Sequence, residues 1–346
     1  MNKNKRKVAV VLSGGGAKGA YEAGALSSIV KKTPAIHVLT GASIGAINAA
    51  VFAWEYEQTG DPLQAANKLQ SIWLDLDGLF RFSLWRLVGS AFTSYLKTGS
   101  PVNFPSVIDH TEIRNKVREL LPPRIRISDL KRIELIINAT CLTTGKTVSF
   151  TRDNDAYLWE AVLASSSLPL ILPSQKIEGS YYIDGGVFNN TPLRDAIVAQ
   201  ATDIFVVELK PKTTELYLET IQDRSEFTGV YQVGSRLMEL ITDKIMYEDL
   251  KNARKVNEII EVIQVLESAG GNSAIIEKLK ESIGYQKDGR VKRRVNLIEI
   301  APSKRLDPPG TLGFDNKTAI QEIIRLGGLD AKKQLGAYEV WETEVS

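Results

Sequence analysis

A continuous apolar run at residues 8–12 is followed at once by a serine and three glycines. A run so short and apolar at every position predicts a parallel strand buried on both faces. Residues 17–30 then carry helix-forming side chains and close on Lys31 and Lys32, which suit the negative end of a helix. The same alternation returns as a strand at 36–40 and a helix at 46–56. Later strands are predicted at 134–140, 147–151, 181–183, 204–209 and 297–300. Pro192 suits a first helical turn and predicts a helix over 193–201. Strand alternating with helix implies right-handed crossovers, with helices on both faces of a mainly parallel sheet. From 213 to 295 the strand signals give way to helical spacing, as in Val230, Val233, Leu237, Leu240, Ile241 and Ile245. The expected organisation is an α/β body over 1–212, a helical insertion packed on it over 213–295, and a returning strand with C-terminal helices over 296–346.

Charge and composition narrow the setting. The 346 residues include 43 Lys+Arg against 41 Asp+Glu, a net charge of +2, so no global field draws the chain to nucleic acid or an anionic bilayer. Cys141 stands alone, which excludes an intrachain disulfide and a cysteine zinc site and fits a reducing compartment. His37 and His110 are the only histidines, too few for a histidine metal centre. The apolar run behind the basic N-terminus is too short for a signal-peptide core. Residues 33–54 carry no charge and are long enough to cross a bilayer, but His37, Thr40, Gly41, Ser43, Gly45 and Asn48 interrupt them. A buried strand followed by a buried helix accounts for that pattern. The expectation is a cytoplasmic protein with no metal, no cofactor and no nucleic-acid partner.

The chemistry concentrates at three glycine-rich turns. Gly41-Ala42-Ser43-Ile44-Gly45 lies between a predicted strand and a predicted helix, the setting that a nucleophile elbow requires. The sharp turn demands small neighbours, and the helix N-terminus favours negative charge growing at the serine. An α/β-hydrolase triad would run serine, acid, histidine. Here His37 precedes Ser43, and His110 lies between Ser43 and the later acids. Another group must take the proton, and Asp184 in Tyr182-Ile183-Asp184-Gly185-Gly186 is the best candidate, because a dry pocket raises an aspartate's pKa toward useful basicity. Asp-Gly between apolar residues is also a hairpin-turn signal. Ser13-Gly14-Gly15-Gly16-Ala17-Lys18-Gly19 opens a helix directly after the first strand and makes an anion nest. A dinucleotide fingerprint there lacks its acidic residue, since none falls between Glu22 and Glu55. A P-loop lacks its Lys-Ser/Thr pair, since Ala20 and Tyr21 follow Gly19. An oxyanion hole asks for no absent residue, and Lys18 adds positive charge to it.

Taken in order and on these strand ends, Gly14 to Gly19, then Gly41 to Gly45, then Asp184-Gly185-Gly186 resemble the patatin-like phospholipase family. The likeness covers roughly residues 7–210, and Ala164-Ser165-Ser166-Ser167-Leu168-Pro169 with Pro173 is similar to a further stretch of it. The resemblance implies a three-layer α/β/α sandwich of the patatin and lysophospholipase type and metal-free hydrolysis of glycerolipid acyl esters. It makes Ser43 the nucleophile, Asp184 the base and Gly14, Gly15 and Gly16 the oxyanion loop, with Lys18 where the family often has arginine. The implied substrate is a phospholipid or lysophospholipid. An acyltransferase that shares the acyl-serine, and a nucleotide- or phosphate-binding module with an inert Ser43, are the alternatives.

Two segments bear on lipid contact. Residues 78–108 have no acidic side chain, and Arg81, Arg86 and Lys97 alternate with Phe82, Trp85, Phe92 and Tyr95 near helical spacing. Packing in the core or as a lid competes with peripheral membrane contact through 79–97. Lys287, Arg290, Lys292, Arg293 and Arg294 form a second basic run, expected as a solvated loop, with head-group contact as its rival. Asp153-Asn154-Asp155 lacks the glycine and closing glutamate of an EF-hand and is expected to hold no metal.

Overall fold

The computed structural model describes residues 6–33, 35–75, 110–169, 172–212, 230–287, 290–306 and 316–338. The first half runs β1 (Val8–Leu12), α1 (Ala20–Lys32), β2 (Val38–Ala42), α2 (Ile44–Thr59), α3 (Pro62–Leu74), α4 (His110–Leu120) and β3 (Glu134–Cys141). It continues through β4 (Lys146–Phe150), α5 (Leu158–Ser166), β5 (Gln175–Ile177), β6 (Ser180–Asp184), α6 (Leu193–Val198) and β7 (Asp203–Val207). Last come α7 (Val230–Ser268), α8 (Ser273–Ile283), β8 (Gln286–Lys287), β9 (Arg290–Val291), β10 (Asn296–Ile300) and α9 (Lys317–Gln334).

The main sheet has the order β10-β7-β1-β2-β3-β6-β5, with β4 also on β3. From β10 to β3 the pairs are parallel, and β4, β5 and β6 join antiparallel. The strand side chains divide by parity, as the pleat requires. Val8, Val10 and Leu12 of β1 and Phe205 and Val207 of β7 enter one core, beneath α1, α2, α3, α5 and α9. Ala9, Val11, Ile204 and Val206 enter the other, where Leu193 and Ala196 of α6 and Met246, Leu250 and Ala253 of α7 cover them. This is the expected three-layer α/β/α arrangement.

β1 forms over the predicted residues, whereas β2 runs on through Gly41 and Ala42. Its extension depends on small residues, because a Cβ on Gly41 would stand 2.4 Å from the Gly45 carbonyl oxygen in α2. α3 was not predicted, although its start follows from the sequence: Asp61 accepts the Leu63 and Gln64 N–H groups at 2.8 and 3.2 Å, and Pro62 occupies the first turn. The basic run is partly a hairpin and partly the exposed, strand-free Arg293 and Arg294. β8 and β9 pair antiparallel there, with Lys287 opposite Arg290, and the Lys292 N–H donates to the Tyr285 carbonyl at 2.6 Å. The later part of α7 packs on α8 through Ile260, Ile263, Ile276 and Ile283. The aromatic stretch 78–108, including the 79–97 contact segment, lies outside the described residues, as do 213–229 of the predicted insertion. No helix among the described residues is long and apolar enough to cross a membrane.

Candidate active site

Ser43 lies at the turn from β2 into α2 with φ 54° and ψ −125°. This is left-handed backbone that a residue with a Cβ occupies at a cost of about 1–3 kcal/mol, so the surrounding packing must hold it there. The neighbours do so by absence of side chains. A Cβ on Gly45 would stand 2.6 Å from the Leu12 carbonyl oxygen, and the one on Gly41 meets α2 as described. The Ser43 N–H donates to the buried Ser165 hydroxyl at 3.0 Å. The side chain is left partly exposed at the C-terminal end of the sheet, where parallel α/β folds bind their ligands.

β3 brings Asp184 to the same place. Ile137 of β3 has Gly41 on one edge and Phe150 of β4 on the other, while Ala139 has Asp184 and Val148. β6 therefore occupies the edge that β2 vacates. Asn138 pairs with Ala42, and its neighbour Ala139 pairs with Asp184. Ser43 follows Ala42 directly, so two chain segments far apart in sequence end side by side. The Asp184 N–H donates to the Ser167 carbonyl at 3.0 Å, so the end of α5 grips both turns. Asp184-Gly185 is not a hairpin centre: it ends β6 and caps a 3-10 turn, Gly185–Val187, with the Gly186 N–H donating to Asp184 Oδ1 at 2.7 Å. Gly185 is required here, since its Cβ would stand 2.2 Å from the Asn138 carbonyl oxygen.

Asp184 is only 2% exposed. Burial pushes its pKa up to about 6, and the neighbouring Ser43 hydroxyl and the Gly186 N–H restrain the rise. Oδ2 is buried and has no hydrogen bond of ordinary geometry. The Ser43 hydroxyl is the side-chain group whose hydrogen bonding holds the Asp184 pKa down.

The glycine loop arches over Ser43. A Cβ on Gly14 would come within 3.0 Å of the Ser43 Cβ and 2.3 Å of Asn190 Oδ1. The Gly14 N–H is taken up by the Asn190 carbonyl at 3.1 Å. Gly15 and Gly16 come before the first paired N–H of a second 3-10 turn, Gly16–Gly19, that of Lys18, which donates to the Gly15 carbonyl at 3.3 Å. Helix geometry supplies their own N–H groups with no acceptor inside the turn. Gly19 lets the turn close on α2, since its Cβ would stand 2.6 Å from Ile44 Cγ1. Lys18 is buried within the turn.

A buried polar chain anchors the loop from behind. Glu22 is fully buried and accepts the Ser13 N–H at 2.7 Å and the Asn48 side-chain amide at 2.8 Å. Asn48 also donates to the Gly19 carbonyl at 2.9 Å and accepts from the Trp73 indole at 2.9 Å. Burial pushes the Glu22 pKa up to about 8 against these two hydrogen bonds. Sequence reasoning missed Glu22 and Asn190. The available signals were a carboxylate inside an apolar helical face and an asparagine shortly after Asp-Gly-Gly.

His37 is not placed to serve. His37 precedes β2 and its Nδ1 accepts the Val8 N–H at 3.1 Å, putting it at the opposite end of the strand from Ser43, roughly 20 Å away at about 3.3 Å per residue. His110 is the first residue of α4. Asp155 accepts from the Ser128 N–H at 3.1 Å, and Asn154 caps the Thr151 N–H at 2.6 Å, so this stretch is knit into the fold. Among the described residues no group of three or more His, Cys, Asp or Glu side chains could hold a metal ion. A cavity of about 720 Å³ opens between α6 and α7, with Ala201 and Val295 in its lining. These residues precede β7 and β10, so the cavity belongs to the sheet end opposite Ser43.

The patatin-like phospholipase family model matches residues 10–197. Mouse patatin-like phospholipase domain-containing protein 7 is 29% identical over 192 residues, covering 54% of this chain and 12% of that protein. Lysophospholipase NTE1 of Saccharomyces cerevisiae is 27% identical over 206 residues, covering 58% of this chain and 11% of that protein. The match therefore spans only about an eighth of the length of these curated relatives. Among solved structures, human GIVD cytosolic phospholipase A2 in complex with methyl gamma-linolenyl fluorophosphonate gives a TM-score of 0.48 at 11% identity, covering 96% of this chain and 57% of that one.

Proposed function

The chain belongs to the patatin-like phospholipase family, and from that premise we propose that it is a serine acyl hydrolase cleaving acyl esters of phospholipids or lysophospholipids. The observation that carries the reading is Ser43, held at positive φ in an elbow, beside a buried aspartate whose pKa is pushed up to about 6. A base in that range is still ionised at neutral pH, yet binds a proton far better than an aspartate in water.

In the first step Asp184 takes the Ser43 proton as Oγ attacks the ester carbonyl carbon. The negative charge gathers on the former carbonyl oxygen, where the N–H groups of Gly15 and Gly16 are the donors. Gly14 supports the loop through its backbone rather than through a free N–H, because that group already binds Asn190. Collapse of the tetrahedral species expels the alcohol, which takes the proton from Asp184, and an acyl-serine remains. Water then attacks the acyl carbon, gives its proton to Asp184, and the carboxylic acid leaves as Ser43 recovers its hydrogen. Preorganised donors of this type contribute about 3–4 kcal/mol of transition-state stabilisation.

Labelling with a fluorophosphonate probe, together with mass spectrometry of products from a defined phospholipid mixture, tests the reading. Wild type should take up the probe and release fatty acid, and Ser43→Ala should do neither. Persistence of labelling or of fatty-acid release in the Ser43→Ala protein would rule the mechanism out. Acyl groups found on an acceptor other than water would make the chain a transferase.

A further inference from the structure

Asn190 links the two halves of the candidate site. It is 4% exposed and lies in the turn between the Gly185–Val187 3-10 turn and α6. Its main chain and its side chain act on the same residue: the Asn190 carbonyl accepts the Gly14 N–H at 3.1 Å, and Asn190 Nδ2 donates to the Gly14 carbonyl at 3.4 Å. Both polar groups of Gly14 are thereby fixed. Asn190 Oδ1 fills the space that two glycines leave, 2.3 Å from where a Gly14 Cβ would be and 2.7 Å from a Gly186 Cβ. Those positions are in turn 3.0 Å from the Ser43 Cβ and 3.0 Å from Asp184 Oδ1. One amide thus lies between the loop over the serine and the turn that holds the aspartate. A second tie beside it keeps the register, since the Thr191 and Ser13 hydroxyls are 3.1 Å apart and Ser13 donates to the Val207 carbonyl at 2.9 Å.

We propose that Asn190 is a positioning residue for acyl transfer: by holding the Gly14 peptide against the Gly186 turn, its amide aims the Gly15 and Gly16 N–H groups and sets the spacing between Ser43 and Asp184. The inference rests on the Ser43–Asp184 reading. Asn190 itself touches neither reacting atom, so its loss misaligns the transition state more than it weakens substrate binding.

The test is steady-state hydrolysis of a soluble p-nitrophenyl ester by wild type, Asn190→Ala, the near-isosteric Asn190→Asp and Ser43→Ala, with melting temperatures measured alongside. For each folded Asn190 variant, kcat should fall about 100-fold while KM stays within about threefold. A kcat within threefold of wild type, or a loss confined to KM, overturns the proposal. Failure of both Asn190 variants to fold also overturns it, because the residue would then serve the fold and not the reaction. Ser43→Ala separates the two ideas: if it keeps activity, the dyad reading fails, whereas an inactive Ser43→Ala beside active Asn190 variants removes only the role of Asn190.

Discussion

At a pKa of about 6, the Asp184 carboxylate binds a proton on the order of a hundredfold more tightly than an aspartate in water. The same burial that improves it as a base makes it costly to the fold. Its folded pKa lies above the unfolded value, so the folded chain retains a proton that the unfolded chain releases. Stability from this group is full below pH 4 and is lost as pH rises through about 6. An asparagine removes that cost, keeps an oxygen for the Gly186 N–H, and can donate toward the Ser43 hydroxyl. Asp184→Asn should therefore lower kcat/KM by about 10²–10⁴ yet raise the melting temperature at pH 8, on the order of 5 °C. In wild type, kcat/KM should fall on the acid side with a midpoint near 6. An active Asp184→Asn protein, or one that melts earlier at pH 8, contradicts this account. The turns that carry Ser43 and Asp184 were legible in the sequence because such close-packed strand-end turns demand glycine neighbours, and glycine patterns survive in one dimension. Asn190 was not, because Phe188-Asn189-Asn190-Thr191 has the composition of any surface turn, and its burial comes from a loop that begins at Ser13.

Helix α1 and helix α9 meet with almost no side chain between them. A Cβ on Gly24 would stand 2.0 Å from the Ile324 carbonyl oxygen, and one on Gly327 2.1 Å from the Tyr21 carbonyl oxygen. The adjacent Gly328 has room, its nearest neighbour being the Gly24 carbonyl oxygen at 3.7 Å. Intrinsic propensity favours alanine over glycine inside a helix by about 1 kcal/mol, so the local clash decides the sign at each position. Gly327→Ala should destabilise by about 1–3 kcal/mol, while Gly328→Ala should be neutral or stabilise by up to about 1 kcal/mol, measured as midpoint shifts in urea. Equal effects at the two positions would show that the helices can move apart. Elements with a strong local pattern were readable to within a few residues, as β1 and α2 illustrate. β5 was not, because its three residues pair only once β6 is in place, and the β8–β9 hairpin was hidden by the basic residues that surround it.

The position of β6 belongs to the whole molecule and no local pattern announces it. β3 outlasts β2, and the freed edge accepts an antiparallel strand whose last residue is Asp184. Building the site inside the protein in this way leaves several carboxyl groups in dry surroundings. Burial pushes Glu22 up to about 8 and Asp184 up to about 6, and burial with the nearby Glu299 pushes Glu208 up to about 7. Others go the opposite way: against burial, Arg6 holds Asp203 low, and Arg254 and Lys212 hold Glu299 low. The depressed groups stabilise the fold above their unfolded pKa values near 4 and lose that contribution only as pH falls below it. The raised groups stabilise fully below about pH 4 and lose their contribution as pH climbs through 6, 7 and 8. Stability should accordingly peak near pH 5 and decline toward pH 8.5. In the proposed mechanism activity needs the Asp184 carboxylate, and it should still be rising where stability is already falling. Melting temperatures across pH 5 to 8.5 beside kcat/KM over the same range check this, and a melting temperature that is flat or rises with pH contradicts it.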